Sequence, residues 1–176
     1  MTKLVVAAVL VLAALAAADA FRAEGKERAV TRPANLSEPL TVHRATSGLI
    51  AVGTFTRKRV LENGREFLSE DAVEAAFPDG LEGIPYDIAY VARAANGTVA
   101  LGIYAFPYGG PASSVVQVWR GRSLVSAFRV PSGSFAGGIG FAEDGRLIAT
   151  LSADGLLVHL FTRSGQPAGR QPATSW

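Results

Sequence analysis

The sequence predicts a mainly β protein made of three successive antiparallel meanders, with one short helix and a hydrophobic helix at the N-terminus. From residue 40 onward, short β-branched and aromatic runs alternate with Asn-Gly, Asp-Gly and Ser-Gly pairs, which is typical of hairpins. Gly48, Gly97 and Gly145 recur at nearly equal intervals, and each ends a turn that leads into an apolar run. A strand, turn, strand context repeated at a fixed period indicates an internal repeat.

Composition narrows the chemistry that the chain can perform. Of its 176 residues, 49% are hydrophobic and none is cysteine, so one buried core is expected and thiolate sites and disulfides are excluded. His43 and His159 are the only histidines, and neither has a second histidine nearby, so we expect no metal site and no cofactor. The formal charge of +2 is scattered along the chain, which argues against a nucleic-acid partner.

The N-terminus has the three parts of a secretory signal. Lys3 precedes an uncharged run from Leu4 to Ala18, and Ala18-Asp19-Ala20 offers a small-x-small cleavage site. We therefore expect residues 1–20 to be a signal peptide, residues 21–39 a linker and residues 40–176 the repeat domain, located in the periplasm or secreted. The alternative is an uncleaved anchor helix that tethers the domain to the membrane, facing away from the cytoplasm.

The second repeat can be followed strand by strand. Its expected strands are Ile88–Val91, Thr98–Phe106, Val115–Trp119 and Leu124–Val130. Four antiparallel strands in about 45 residues have the dimensions of one blade of a β-propeller. The first repeat is expected to open with a strand at Leu40–Ala45.

The third repeat appears as three strands. They are Ile139–Ala142, Leu147–Leu151 and Leu156–Phe161. The tail Gln166–Pro172 is not expected to form a fourth strand, because proline lacks the donor that a central ladder needs. Either a segment near Arg28–Arg32 completes this sheet, or two chains associate so that three units plus three make six; we expect the second, a dimer.

A helix is predicted between the first two repeats, over Ser69–Phe77. Ser69 is placed to cap it, acidic residues follow at its positive end, and Pro78 and the turn after it end it. Val73, Ala76 and Phe77 have helical spacing, which predicts that they pack against the core.

The stretch Gly138–Ala149, followed by Val158–Phe161 and Gly165, resembles repeats of the bacterial six-bladed β-propellers of the NHL and streptogramin-lyase-like group. The resemblance covers residues 84–166 well. It implies a partial propeller, and because propellers of this kind host enzymes it allows a small-molecule hydrolase or lyase.

The candidate ligand residues lie mainly in the second repeat, where residues 106–114 form a longer connection than the corresponding one in the third repeat. Insertions on one face of a repeat protein often carry binding function. Tyr104, Phe106 and Tyr108 offer stacking surface there, unless they only cover a sheet edge. Asp87 begins a first strand and is the carboxylate expected nearest a central opening.

These residues do not form a catalytic constellation, and no catalytic residue is predicted. The leading hypothesis is an exported, non-catalytic binding or assembly module whose partner is another protein or a second copy of the chain. The alternatives are the hydrolase or lyase and the membrane-tethered envelope protein.

Overall fold

The computed structural model describes residues 40–131 and 138–176, so the predicted signal peptide and linker lie outside the described residues. The described part is mainly β, as predicted. Its strands form three antiparallel sheets, and in each sheet the strands follow one another in chain order. Within these residues, no helix is both long and apolar enough to span a membrane.

The strands and helices have the following bounds. Sheet 1 contains β1 (Leu49–Val52), β2 (Arg59–Glu62) and β3 (Arg65–Leu68). Sheet 2 contains β4 (Tyr86–Arg93), β5 (Thr98–Ala105), β6 (Ser113–Arg120) and β7 (Ser123–Val130). Sheet 3 contains β8 (Ile139–Ala142), β9 (Leu147–Leu151), β10 (Leu157–Thr162) and β11 (Pro167–Pro172). Helix α1 (Glu70–Glu74) follows β3, and short 3-10 helices occupy Glu143–Gly145 and Ala173–Ser175.

The three repeat glycines share one backbone conformation. Gly48, Gly97 and Gly145 have φ angles of 80°, 80° and 86°, in the left-handed region that favours glycine. At Gly145 an added Cβ would also lie 2.6 Å from the Cβ of Ala94. Each glycine immediately or closely precedes a strand, as the repeat predicts.

The prediction of a strand at Leu40–Ala45 is wrong. Only His43 forms a β-bridge, and its partner is Phe141 in sheet 3, with two N–O distances of 2.8 Å. The segment therefore lies beside β8 and does not pair with β1. Sheet 1 instead gains β2 and β3, which turn at Asn63-Gly64 with φ angles of 49° and 79°, the positive values of a type I′ hairpin.

The prediction that sheet 3 lacks a fourth strand is also wrong. Residues Pro167–Pro172 form β11, which pairs with β10 at one edge of the sheet. The missing donor of proline excludes it only from a central ladder, because an edge strand needs partners on one side alone. The chain thus completes sheet 3 itself, without a second molecule. The alternative candidate, Arg28–Arg32, lies outside the described residues.

Sheet 2 is the central layer of the described part. One of its faces shares an apolar cluster with sheet 1 and helix α1, and the other shares a cluster with sheet 3. Ile88 and Leu101 lie in the first cluster, whereas Ala100 and Val116 lie in the second. Both faces of sheet 2 are therefore buried, which explains why β5 is almost continuously apolar.

The other face of sheet 3 is covered by the chain's own segments. Apolar side chains from both ends of the described chain pack on this face, against the strand residues Ala149, Val158 and Leu160. The covering residues are Leu40, Val42, Ala173 and Trp176. The buried side chain of Gln171 fixes this cover, because its Oε1 accepts from Leu40 N at 2.8 Å and its Nε2 donates to Leu40 O at 2.6 Å.

The predicted helix is present, although it ends at Glu74. Ser69 caps it as expected, since its hydroxyl accepts from Ala72 N at 3.2 Å. Val73 is fully buried, and its carbonyl accepts from Nε2 of the buried Gln117 at 2.8 Å. This bond ties the helix to the centre of sheet 2.

Candidate functional site

The longer connection of the second repeat begins where β5 ends. Phe106 N donates to Pro85 O at 2.8 Å, which holds the start of the loop beside the start of β4. Farther along, Gly110 N donates to Pro107 O at 3.2 Å and closes a turn. The ring of Phe106 is 45% exposed and Tyr108 is 90% exposed, so neither residue is part of the core.

A second loop, residues 53–58 between β1 and β2, reaches the same place. Lys58 N donates to Val52 O at 3.0 Å and closes the loop at its base. Gly53 is required there, because an added Cβ would lie 1.6 Å from the carbonyl oxygen of Thr56. Phe55, near the tip, is 100% exposed.

The two loops border a shallow, open hollow of about 420 Å³, which we call the aromatic hollow. It is lined by Gly53, Phe55, Thr56, Arg57, Asp87 and Phe106. Exposed aromatic rings on two different loops therefore border one concave surface. Concave, partly apolar surfaces with a few polar groups are the usual form of ligand sites.

Arg57 and Asp87 form the polar wall of the hollow. The Arg57 guanidinium donates to both carboxylate oxygens, with Nη2 to Oδ2 at 2.7 Å and Nε to Oδ1 at 3.2 Å. The backbone N of Arg57 also donates to Oδ1 at 2.8 Å, and its carbonyl accepts from Ile88 N at 2.7 Å. The loop that carries Phe55 is thus fastened to the edge of β4.

This pairing fixes the charge state of the wall. Hydrogen bonds from Arg57 lower the pKa of Asp87, and the hydrogen bond to Asp87 raises the pKa of Arg57. The carboxylate stays ionised and the guanidinium stays protonated near neutral pH. Their charges cancel, so the hollow presents a polar but neutral wall between aromatic rings.

The four predicted ligand residues do not all lie in the hollow. Asp87 and Phe106 line it, and Tyr108 lies two residues farther along the same loop. Tyr104 pairs with Asp87 across the strands, but it packs against the cluster between sheets 2 and 3, and burial raises the pKa of its hydroxyl. Tyr104 therefore packs against the core and does not line the hollow.

Sequence reasoning missed Phe55 and Arg57. Phe55 stands alone between two threonines, and the run Arg57-Lys58-Arg59 is typical of an ordinary solvated turn. The side-chain bonds of Arg57 to β4 depend on chain segments 30 residues apart, which no local pattern reports.

Two strands, β8 and β9, separate the two histidines. His43 is exposed and bridges to β8 by its backbone, whereas His159 is half-buried on β10. Burial lowers the pKa of His159, with a smaller contribution from Arg170. Among the described residues, no three His, Cys, Asp or Glu side chains are grouped as a metal site would need.

Comparison of the chain with protein-family models, with curated proteins and with solved structures finds no match.

Proposed function

We propose that this protein is an exported, non-catalytic binding module whose partner docks on the aromatic hollow. The observation that carries the proposal is the exposure of Phe55 on a loop whose backbone is fixed at both ends. A fully exposed phenylalanine adds nothing to the core, and a rigid aromatic ring loses little conformational entropy when a partner covers it. Buried aromatic anchors are also the residues that dominate binding energy at protein interfaces.

The state of Asp87 supports binding over catalysis. A general base needs a carboxylate that can accept a proton from substrate near the working pH. Here both oxygens of Asp87 accept from Arg57, and its pKa is lowered, which makes it a poor base. For Asp87 to act as a base in a hydrolase or lyase, Arg57 would first have to be displaced from its carboxylate.

The stacking of the sheets is consistent with propeller blades. Each sheet is a meander, sheet 2 has neighbours on both faces, and the first strands β1, β4 and β8 lie next to one another. We include in the proposal that the three sheets are blades of an incomplete propeller. Export is part of the proposal through residues 1–20, and N-terminal sequencing of the mature protein separates a cleaved signal from a membrane tether.

The test compares two hollow variants with a matched control. Phe55→Ala removes a ring that lines the hollow, and a deletion of Tyr108–Ala112 removes the exposed Tyr108 and shortens the loop that carries Phe106. Leu156→Ala removes another exposed apolar side chain, from the β9–β10 turn. Each purified variant is mixed with the exported proteins of the cells that produce it and cross-linked. The proteins captured with it are then quantified by mass spectrometry.

We expect one partner to be captured by both the wild type and Leu156→Ala. The captured amount of this partner should fall about tenfold with either hollow variant, because losing one aromatic hot spot of about 1.4 kcal/mol weakens binding tenfold. The far-ultraviolet circular dichroism of the variants should not change, because neither site is in the core. Equal capture by all four proteins would refute the proposal.

A further inference from the structure

We propose that β7 is a docking edge for an extended acidic peptide, which adds to sheet 2 as a fifth strand. Strand addition needs a sheet edge with unpaired backbone groups, and it gains specificity from alternate side chains. The proposal concerns a different surface from the aromatic hollow and goes beyond the proposed function. It rests on the edge itself and on the groove beside it.

The outer side of β7 is unpaired within the described residues. The strand is eight residues long and pairs with β6 on one side only. Among the described residues, no backbone hydrogen bond reaches its other side. Leu124 and Val125 are 43% and 48% exposed at its start. A long edge strand with exposed apolar residues is a template for another strand.

The outer edges of the other two sheets are protected. β3 is four residues long, and the carbonyl of Glu66 on it accepts from Arg122 Nη2 at 2.8 Å. β11 carries proline at both ends, Pro167 and Pro172, which removes two donors. β7 carries a bulge at Val125 and a charged residue, Arg129, but it has neither proline nor lysine and is twice as long as β3. This contrast singles out β7 as the available edge.

A shallow groove of about 440 Å³ lies beside the start of β7, and its lining residues indicate the chemistry of the partner. It is lined by Val125, Ser126, Arg146, Thr162, Arg163 and Ser164. Two of these six residues are arginines and none is acidic. The rest supply hydroxyl groups and one apolar side chain, so the groove favours a carboxylate with an aliphatic neighbour.

The two arginines are held differently. Arg163 Nε donates to Gly145 O at 2.7 Å, and its carbonyl accepts from the Ser126 hydroxyl, which fixes the arginine next to β7. Among the described residues Arg163 has no ion-pair partner. Arg146 pairs with Glu143 at 3.3 Å, but its side chain is 76% exposed and can turn toward a ligand.

The two faces of β7 therefore call for different side chains. The register between β6 and β7 shifts at Val125, which forms a β-bulge. Ser126 pairs with Val118 and lies on the face toward sheet 3, beside the arginines, whereas Leu124, before the bulge, pairs with Trp119 and lies on the opposite face.

Beyond the bulge the strand is regular from Ser126 to Val130. Because side chains of an extended chain alternate between faces, a partner strand that places acidic residues beside the arginines places the residues between them on the opposite face, where apolar ones fit beside Ala127. The proposed partner is a peptide segment of that pattern.

The test uses a fluorescein-labelled peptide with the sequence Thr-Val-Glu-Val-Glu-Val-Thr and the full chain, measured by fluorescence anisotropy at low salt. A second peptide replaces both glutamates with lysine, and a third keeps the glutamates but carries N-methyl groups on alternate amides. We expect saturable binding of the first peptide, binding about tenfold weaker for the lysine peptide, and no saturable binding of the N-methylated peptide.

Variants locate the binding. Arg146→Glu should weaken the first peptide about tenfold, whereas Arg65→Glu, the same change at an exposed position on β3, should leave it within about twofold. Phe55→Ala should have no effect, which separates this edge from the hollow. An unchanged near-ultraviolet circular dichroism spectrum confirms that each variant is folded.

Three results would overturn the proposal. The first is no saturable binding of the glutamate peptide, and the second is equal binding of the lysine or N-methylated peptide. The third is a dimer of the chain, detected by light scattering, that the glutamate peptide dissociates, because a second copy would then be the natural occupant of β7.

Discussion

The contacts between Asp87 and Arg57 predict how much the free energy of unfolding falls when the carboxylate is removed. Asp87→Ala removes an ion pair with Arg57 that is partly exposed, which is worth about 0.2–1 kcal/mol. It also removes the acceptor of Arg57 N, a hydrogen bond to a charged group that contributes about 1 kcal/mol after allowance for solvent. We therefore expect the free energy of unfolding to fall by about 1–2 kcal/mol.

Asp87→Asn separates these two contributions. Asparagine keeps an oxygen that can accept from Arg57 N but loses the charge, so its cost should be about 0.5–1 kcal/mol. Glu66→Ala is the control, because Glu66 pairs with Arg59 at 3.8 Å through its exposed side chain alone. That pair should contribute less than about 0.5 kcal/mol.

The assay is urea unfolding followed by tryptophan fluorescence, repeated as a function of pH. Because the pKa of Asp87 is lower in the folded protein, the stabilisation is fully present above the usual carboxyl pKa of about 4 and is lost as pH falls through the lowered value. The difference between wild type and Asp87→Asn should shrink accordingly below about pH 4.

Capture by the aromatic hollow is measured on the same variants. Asp87→Ala should weaken capture, because it frees the loop that carries Phe55, and Asp87→Asn should weaken it less. Suppose instead that Asp87→Ala abolished capture, or removed an enzymatic activity of the wild type, while changing stability by less than about 0.3 kcal/mol. The carboxylate would then contact the ligand directly, and its role of fastening the 53–58 loop to β4 would be wrong.

Three further predictions concern other parts of the fold. Gly53→Ala should destabilise the protein by about 1–3 kcal/mol in the same urea assay and weaken binding at the hollow, because the new Cβ overlaps the backbone of Thr56. Gly110→Ala is the control: its Cβ would lie 3.6 Å from the nearest atom, so it should change stability by less than about 0.5 kcal/mol. The proton NMR titration of His159 should give a pKa below 6.5; because the unfolded state then binds more protons, stability should decline as pH falls below about 6.5, and His159→Gln should remove that decline. Gln171→Ala should cost about 1–3 kcal/mol, because Leu40 N and O both lose their partner in the cover of sheet 3; an unchanged unfolding midpoint would show that water replaces the amide.

The parts of the fold that were predictable are those with a local signal. β8 and β9 were predicted to the residue, because a turn and a short apolar run bound each of them. β11 was missed because its prolines were weighed against a central strand, and only the assembled sheet shows that it lies at an edge. β2 and β3 are short and rich in charge, so their periodicity is weak.

The segment Leu40–Ala45 shows a different limit. Its alternation of Leu40 and Val42 is a genuine signal that one side is buried, and the structure buries both residues at least in part. The pattern does not say which surface buries them. Sequence neighbours are usually spatial neighbours, which favoured β1, but the segment lies against β8 and the face of sheet 3.

The candidate site was predictable only on one side. The loop after β5 is longer than its counterpart in the third repeat, and this difference can be read from the sequence. The hollow needs a second wall, and Phe55 and Arg57 reach it through hydrogen bonds between Arg57 and β4. Side-chain convergence of this kind is a product of the tertiary structure.

The two end faces of the sheet stack bear on how the chain could associate. The outer face of sheet 3 is covered by Val42 and Trp176, and Gln171 fixes that cover. The outer face of sheet 1 carries Ile50, which is 62% exposed. Closing a ring of six sheets from two chains would need both kinds of end face to be open, so it would first have to displace the cover of sheet 3. An association through the outer face of sheet 1 needs no such rearrangement, and if that face met its own copy it would bring two chains together about a two-fold axis without closing a ring.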